Sequence, residues 1–252
     1  MRMILGASTK KHVEKINQLG YTAMVSFNTL EFRKSPISSH TIWIDSGSFT
    51  RLSSHKPLAT PEKLIRVAQI NNTEIVFTPD AMCEPQIIEK TGLDVDEHIR
   101  ITHENNKYML EVAEKVNFPT EKIGLVVQGW TVKDYIKSAN LCKTIIKNPN
   151  QIVGIGTLCR RHSFSEIGEI VDTVKSILPQ ARIHAFGVKG PALAYIKSKI
   201  YSADSFAWAF HRFGDFRYQK ICQKTDCKTK CNNCTIAIEI WINSLIKTIN
   251  GF

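Results

Sequence analysis

The sequence predicts an α/β fold, a (β/α)8 TIM-like barrel of near-minimal length. Three observations carry that expectation. Eight short β-branched runs recur along the 252 residues, and amphipathic stretches separate most of them. Six of those runs in succession end on polar residues or glycine, as in barrels whose functional groups gather at the strand ends. Hydrophobic and charged fractions of 43% and 22% are those of an ordinary globular chain, without internal repeats or low-complexity tracts. A doubly wound open sheet is the alternative, because a count of strands cannot prove closure.

Taken in order, strands are expected near 2–7, 22–27, 41–45, 74–79, 123–128, 151–156, 182–187 and 203–207. Most are rich in Ile, Val, Thr and Phe, which suit a pleated buried surface. Helical patterns are expected over 9–19, 61–71, 85–117 with a break, 131–147, 164–178 and 190–199. "TPEKLIRVAQI" begins with Thr60 as the capping residue and Pro61 in the first helical position. The whole of 1–252 reads as one domain, with a cysteine-rich loop at about 222–234 and a final helix at about 235–249.

The bulk numbers exclude some classes. No apolar run approaches the roughly 18 residues that would span a bilayer. The apolar part of the N-terminal stretch is too short for a signal peptide and turns charged at once. A cytoplasmic protein with no membrane partner is expected. Lys and Arg outnumber Asp and Glu by 33 to 23, a formal charge of +10 that favours polyanionic partners, nucleic acid first.

The strand ends carry the candidate chemistry. Asp45 closes the third run, Asp80 the fourth, Gln128 and Gly129 the fifth, Gly156 and Thr157 the sixth and Gly187 the seventh, while Asp204 lies in the eighth. In a barrel these converge on one mouth. Four of the seven cysteines, Cys222, Cys227, Cys231 and Cys234, fall within thirteen residues. That spacing suits tetrahedral zinc in a closed, structural site. The segment before them, "WAFHRFGDFRYQK", interleaves aromatic rings with basic residues including Arg212, a pattern that stacks on bases and pairs with phosphates.

Taken together, these motifs resemble a known family. "DSGSF" is similar to the DSGGF motif of tRNA-guanine transglycosylases, and "LVVQG" to their IVQG. "GIGT" stands where that superfamily has a Gly-Gly-Leu strand end, "FGVKGP" resembles its MGVG segment, and "SADSF" resembles the stretch that carries its nucleophile. The cysteines follow in the same order, so the likeness spans about residues 41–234. The chain departs in being shorter than the bacterial tRNA enzymes and in having four cysteines where they have three and a distant histidine. "VGIGTLCRR", "FTPDAMCEP" and "FGVKGP" look more like the DNA-modifying branch, the 7-deazaguanine DNA transglycosylases.

The resemblance implies that guanine in a nucleic acid, DNA in preference to tRNA, is exchanged for a 7-deazaguanine such as 7-cyano-7-deazaguanine. Asp204 would be the nucleophile and Asp45 the general acid/base. Asp80 would accept from the N1–H and exocyclic amine of the base, and Gln128 would reach its O6. Ser46, Gly129, Gly156 and Gly187 would complete the base pocket, with Phe49 and Phe186 as candidates to sandwich the ring. Arg160, Arg161 and Arg212 would hold the polymer. The metal would be structural zinc, and association into a homodimer is left open. Exchange on tRNA, a hydrolase that merely removes the base and a non-catalytic nucleic-acid-binding paralogue are the competing expectations.

Overall fold

The computed structural model describes residues 1–161, 163–188, 190–210 and 235–250. Eight strands close a barrel in chain order: β1 Arg2–Ala7, β2 Thr22–Ser26, β3 Ile42–Asp45, β4 Thr73–Phe77, β5 Ile123–Val127, β6 Ile152–Ile155, β7 Arg182–Ala185 and β8 Ser202–Ser205. All neighbours pair in parallel, and β8 returns to β1 with Arg2 opposite Ser202 and Leu5 opposite Ser205. That last pairing excludes the open sheet.

Alternation along the strands divides the core in two. Outward-facing Leu5, Val25, Ile44, Val76, Leu125 and Val153 pack under the helices. Inward-facing Ile4, Met24, Trp43, Ile75, Phe77, Val126 and Ile152 fill the barrel. Glycines make room for aromatic rings in that filling. A Cβ at Gly6 would lie 2.6 Å from Phe206, and one at Gly154 would lie 2.3 Å from Phe186. At the opposite end from the strand C-termini, Arg2 donates to Glu74 at 2.5 Å and lies 5.6 Å over the Trp43 ring.

The larger helices fall where periodicity places them: α1 Lys10–Gln18, α4 Pro61–Ile70, α5 Pro85–Thr91, α6 Val95–Lys115, α7 Val132–Lys143, α8 Phe164–Ile177 and α9 Gly190–Ile196. The expected break in 85–117 is a stop and a start. Gly92, at φ +69°, ends α5, and Asp94 then accepts from Glu97 N–H at 2.8 Å to begin α6. A capping box between Thr131 and Asp134 begins α7. Two short helices were not expected, α2 Phe27–Leu30 and α3 Ser48–Ser53, each following a strand end directly. A last helix, α10 Thr235–Asn250, packs on α1 and α9, with Lys15 2.9 Å from Glu239.

Among the described residues, no helix is long and apolar enough to cross a membrane. Arg212 and the expected zinc ligands Cys222, Cys227, Cys231 and Cys234 lie outside the described residues.

Candidate active site

A cavity of about 420 Å³ opens at the C-terminal ends of the strands. Four carboxyl groups line it: Asp45 from β3, Asp80 and Glu84 from the loop after β4, and Asp204 from β8. Gln128, Gly156, Thr157 and Gly187 form its polar side, and Met24, Phe49, Met82, Phe186 and Phe206 its apolar walls.

The turn after β3 holds Asp45. Gly47 adopts φ +73°, a left-handed conformation that glycine takes without strain, and its N–H donates to Asp45 Oδ2 at 3.0 Å. Asn28, on α2, fixes the same turn by donating from Nδ2 to Gly47 O at 3.0 Å, and a Cβ at Gly47 would lie 2.4 Å from that nitrogen. Burial pushes the Asp45 carboxyl up to about 7, and the charges of Asp80 and Asp204 act in the same direction. The Gly47 N–H and the Ser26 hydroxyl oppose the shift without cancelling it.

Asp80 stands at one end of a relay of side chains. Ser46 Oγ donates to Asp80 Oδ1 at 3.0 Å, and Gln128 Nε2 donates to Oδ2 at 2.5 Å. The other end of the Gln128 amide, Oε1, accepts from Thr157 Oγ1 at 2.6 Å. Thr157 Oγ1 accepts in turn from Cys83 N–H at 3.1 Å. Glu84 Oε2 lies 3.3 Å from the same hydroxyl, at longer range than the Gln128 oxygen. The Asp80 carboxylate, which only accepts, sets which way the Gln128 amide faces, and the Thr157 hydroxyl holds its other end. Thr157 sits at φ +56°, a strained position for a β-branched residue and one that recurs at functional sites. Burial raises the carboxyls of Asp80 and Glu84 above their ordinary range, against the hydrogen bonds that Asp80 receives.

Asp204 accepts from Gly187 N–H at 2.9 Å, and His184 Nε2 lies 3.3 Å from the same oxygen. Gly187, at φ +61°, ends β7 in a turn that aims this N–H inward.

The structure brings Asp45, Asp80, Gln128, Gly156, Phe49, Gly187 and Asp204 to one cavity, and the expected ring partner Phe186 joins them. It corrects three expectations. Arg161 is not available to a polymer: its side chain is 2% exposed and bonded to Glu166, Thr157 O and Trp130 O. Gly129 does not line the cavity, because it packs on the first turn of α7, where a Cβ would lie 2.9 Å from Asp134. Ser46 is buried behind Asp80 and supports it from there. Arg160, by contrast, lies at the mouth with its guanidinium 5.3 Å over the Phe49 ring.

Several lining residues escaped the sequence reading, among them Glu84, Phe206 and Thr29. His184 and the role of Thr157 escaped as well. Among the described residues, no group of three or more His, Cys, Asp or Glu is arranged to hold a metal ion.

A closed β/α barrel that gathers carboxyl groups, an amide and aromatic walls at its strand ends has the architecture of a barrel enzyme. The chain belongs, more particularly, to the family DpdA, DeoxyPurine in DNA protein A, whose model matches residues 11–252. This is the DNA-modifying branch of the superfamily that the motifs resemble. No curated protein matches the chain.

Proposed function

We propose that the protein exchanges guanine in DNA for a 7-deazaguanine through a covalent glycosyl–enzyme intermediate on Asp204. The observation that carries this is the convergence of Asp45, Asp80 and Asp204 on one cavity, with Asp45 held near neutrality and Asp204 oriented by a backbone N–H. The family's description, a deoxypurine in DNA, favours DNA over tRNA.

Exchange at C1′ without hydrolysis requires two displacements. In the first, an Asp204 oxygen bonds to C1′ while the C1′–N9 bond breaks and its electron pair goes to the purine. Asp45 gives its proton to that purine, which leaves as neutral guanine. In the second, N9 of the incoming base attacks C1′, the C1′–O bond to Asp204 breaks, and Asp45 takes back the N9 proton. No water and no net proton are consumed. A carboxyl with a pKa of about 7 is matched to both directions of this transfer.

Base selection follows from the relay. Asp80 accepts from N1–H and the exocyclic amine, while the second N–H of the Gln128 amide is available to O6. Adenine offers the opposite pattern. A target base reaches this depth only when turned out of the duplex or offered single-stranded. Cys222, Cys227, Cys231 and Cys234 hold a structural zinc in this proposal, on the strength of their spacing.

The test is a denaturing gel. Enzyme mixed with a guanine-containing oligonucleotide and a 7-deazaguanine should give a protein–DNA adduct, and Asp204→Asn should give none while still binding DNA. An adduct that persists in Asp204→Asn would overturn the assignment of the nucleophile. Release of free guanine without an adduct in any variant would favour a hydrolase.

A further inference from the structure

His184 is a fully buried histidine with polar contacts at both ring nitrogens. It lies in β7 directly opposite Ser202 of β8, two residues before Asp204, so its imidazole stands one step below the carboxylate inside the barrel. Trp43, Phe77 and Phe186 surround it, with ring centroids 5.4, 5.1 and 4.6 Å away. A phenylalanine would fill such an aromatic pocket without the cost of burying a polar ring. The imidazole instead completes a line from Ser202 Oγ, 2.9 Å from Nδ1, to Asp204 Oδ1, 3.3 Å from Nε2.

The chemistry of the two ends assigns the tautomer. A carboxylate oxygen only accepts, so Nε2 carries the hydrogen toward Asp204, and Nδ1 accepts from the Ser202 hydroxyl. Gly187 N–H donates to the same Oδ1 at 2.9 Å. Two donors therefore converge on one oxygen, and no other described group bonds to Oδ2.

We propose that His184 is a positioning residue for Asp204: with Gly187 N–H it occupies Oδ1 and presents Oδ2 to the sugar. This rests on Asp204 being the nucleophile. In the first displacement the pair fixes the line of attack. In the second, the bond that breaks is C1′–Oδ2, and the returning negative charge spreads onto an oxygen that already has two donors. The same contacts thus serve both half-reactions, and neither requires the imidazole to change its protonation.

The experiment compares His184→Phe with His184→Gln and Ser202→Ala in the full chain, measuring exchange kinetics, DNA binding and thermal stability. Phenylalanine keeps the aromatic packing and removes the donor. It should lower kcat by about 10- to 100-fold, the scale of a misaligned reacting group, with KM for the base and DNA affinity within about 3-fold of wild type. Glutamine offers an amide N–H toward Oδ1 and should recover most of the rate. Ser202→Ala, which frees the tautomer, should fall between the two.

A purely structural histidine predicts another pattern. Activity would then follow thermal stability across the three variants, or kcat would be unchanged in His184→Phe, and either result overturns the proposal. Should His184→Phe fail to fold, glutamine and Ser202→Ala decide: wild-type kcat in Ser202→Ala, or no activity in a stably folded His184→Gln, refutes positioning through the imidazole. Asp204→Asn run alongside separates the two levels. Residual exchange there removes the nucleophile assignment itself, whereas an inactive Asp204→Asn beside a fully active His184→Phe removes only the role of His184.

Discussion

Thr157→Val is the most informative single change. Valine keeps the volume and the β-branch, so the strain at φ +56° is common to both residues and cancels in the comparison. What disappears is one hydroxyl that accepts from Cys83 N–H at 3.1 Å and donates to Gln128 Oε1 at 2.6 Å, with Glu84 Oε2 a more distant acceptor at 3.3 Å. The first two are buried, and each loses a partner at a cost of about 1–3 kcal/mol. The two losses register in different measurements. The Cys83 N–H belongs to the loop after β4, so its share should appear as about 1–3 kcal/mol of unfolding stability. The Gln128 share should appear in the site, as roughly a 5- to 150-fold loss in exchange with guanine. Freed of Thr157, the amide is held by Asp80 alone and its second N–H is less firmly placed, so preference for guanine over adenine should narrow as well. Labelled-base exchange with both purines, beside denaturant unfolding, reads all three quantities. Thr157→Ser, which keeps the hydroxyl, should restore selection. Selection that stays intact in Thr157→Val while stability falls would refute the relay and leave Thr157 a loop residue.

Three other outcomes are expected. Because Asp45 is raised from 3.8 to about 7 in the folded protein, the native state holds more protons than the unfolded chain between those values, and this contribution to stability falls as pH rises from about 4 to about 7; Asp45→Asn should flatten that slope in thermal melts and slow exchange by about 10²–10⁴-fold. Arg161→Ala should cost about 2–4 kcal/mol of stability with little change in the salt dependence of DNA binding, whereas Arg160→Ala should weaken DNA binding in a titration and leave melting unchanged. Metal analysis should find about one zinc per chain, lost on replacing any pair among Cys222, Cys227, Cys231 and Cys234; folded protein without zinc would remove that site.

The parts of the site that were legible beforehand are those that strand endings display. Asp45, Asp80 and Gln128 each follow a β-branched run directly, and a closed barrel brings all such endings to one mouth. Side-chain direction within a loop is a different matter. Arg160 and Arg161 are neighbours of one type, yet one lies over Phe49 and the other is buried against Trp130 and Glu166; backbone direction in the loop that holds them is not visible in composition. Gly129 and Gly156 likewise end adjacent strands. Only Gly156 faces the cavity, because α7 begins closely enough behind Gly129 to cover it. His184 was hidden for a further reason: in "RIHAFG" it occupies an inward strand position where an apolar residue is ordinary, and its meaning appears only once β7–β8 register sets it across from Ser202. Helix α3 escaped because its first turn depends on the conformation of Gly47 and not on any apolar period.

The cavity also differs in its ionisable groups from the chain around it. Basic residues outnumber acidic ones by 33 to 23 over the chain, yet among the described residues the cavity lining contains four carboxyl groups and neither lysine nor arginine. A DNA strand drawn in by the outer field and by Arg160 at the mouth meets a lining in which a phosphate finds carboxyl groups, whereas an uncharged ring finds hydrogen-bond partners and aromatic walls. The opening thereby sieves by charge as well as by shape. Free guanine should compete for it far better than guanosine monophosphate, although the two present the same hydrogen-bonding edge. Abundant nucleotides would then leave the pocket vacant, and a base could enter either alone or at the end of a backbone whose phosphates stay outside.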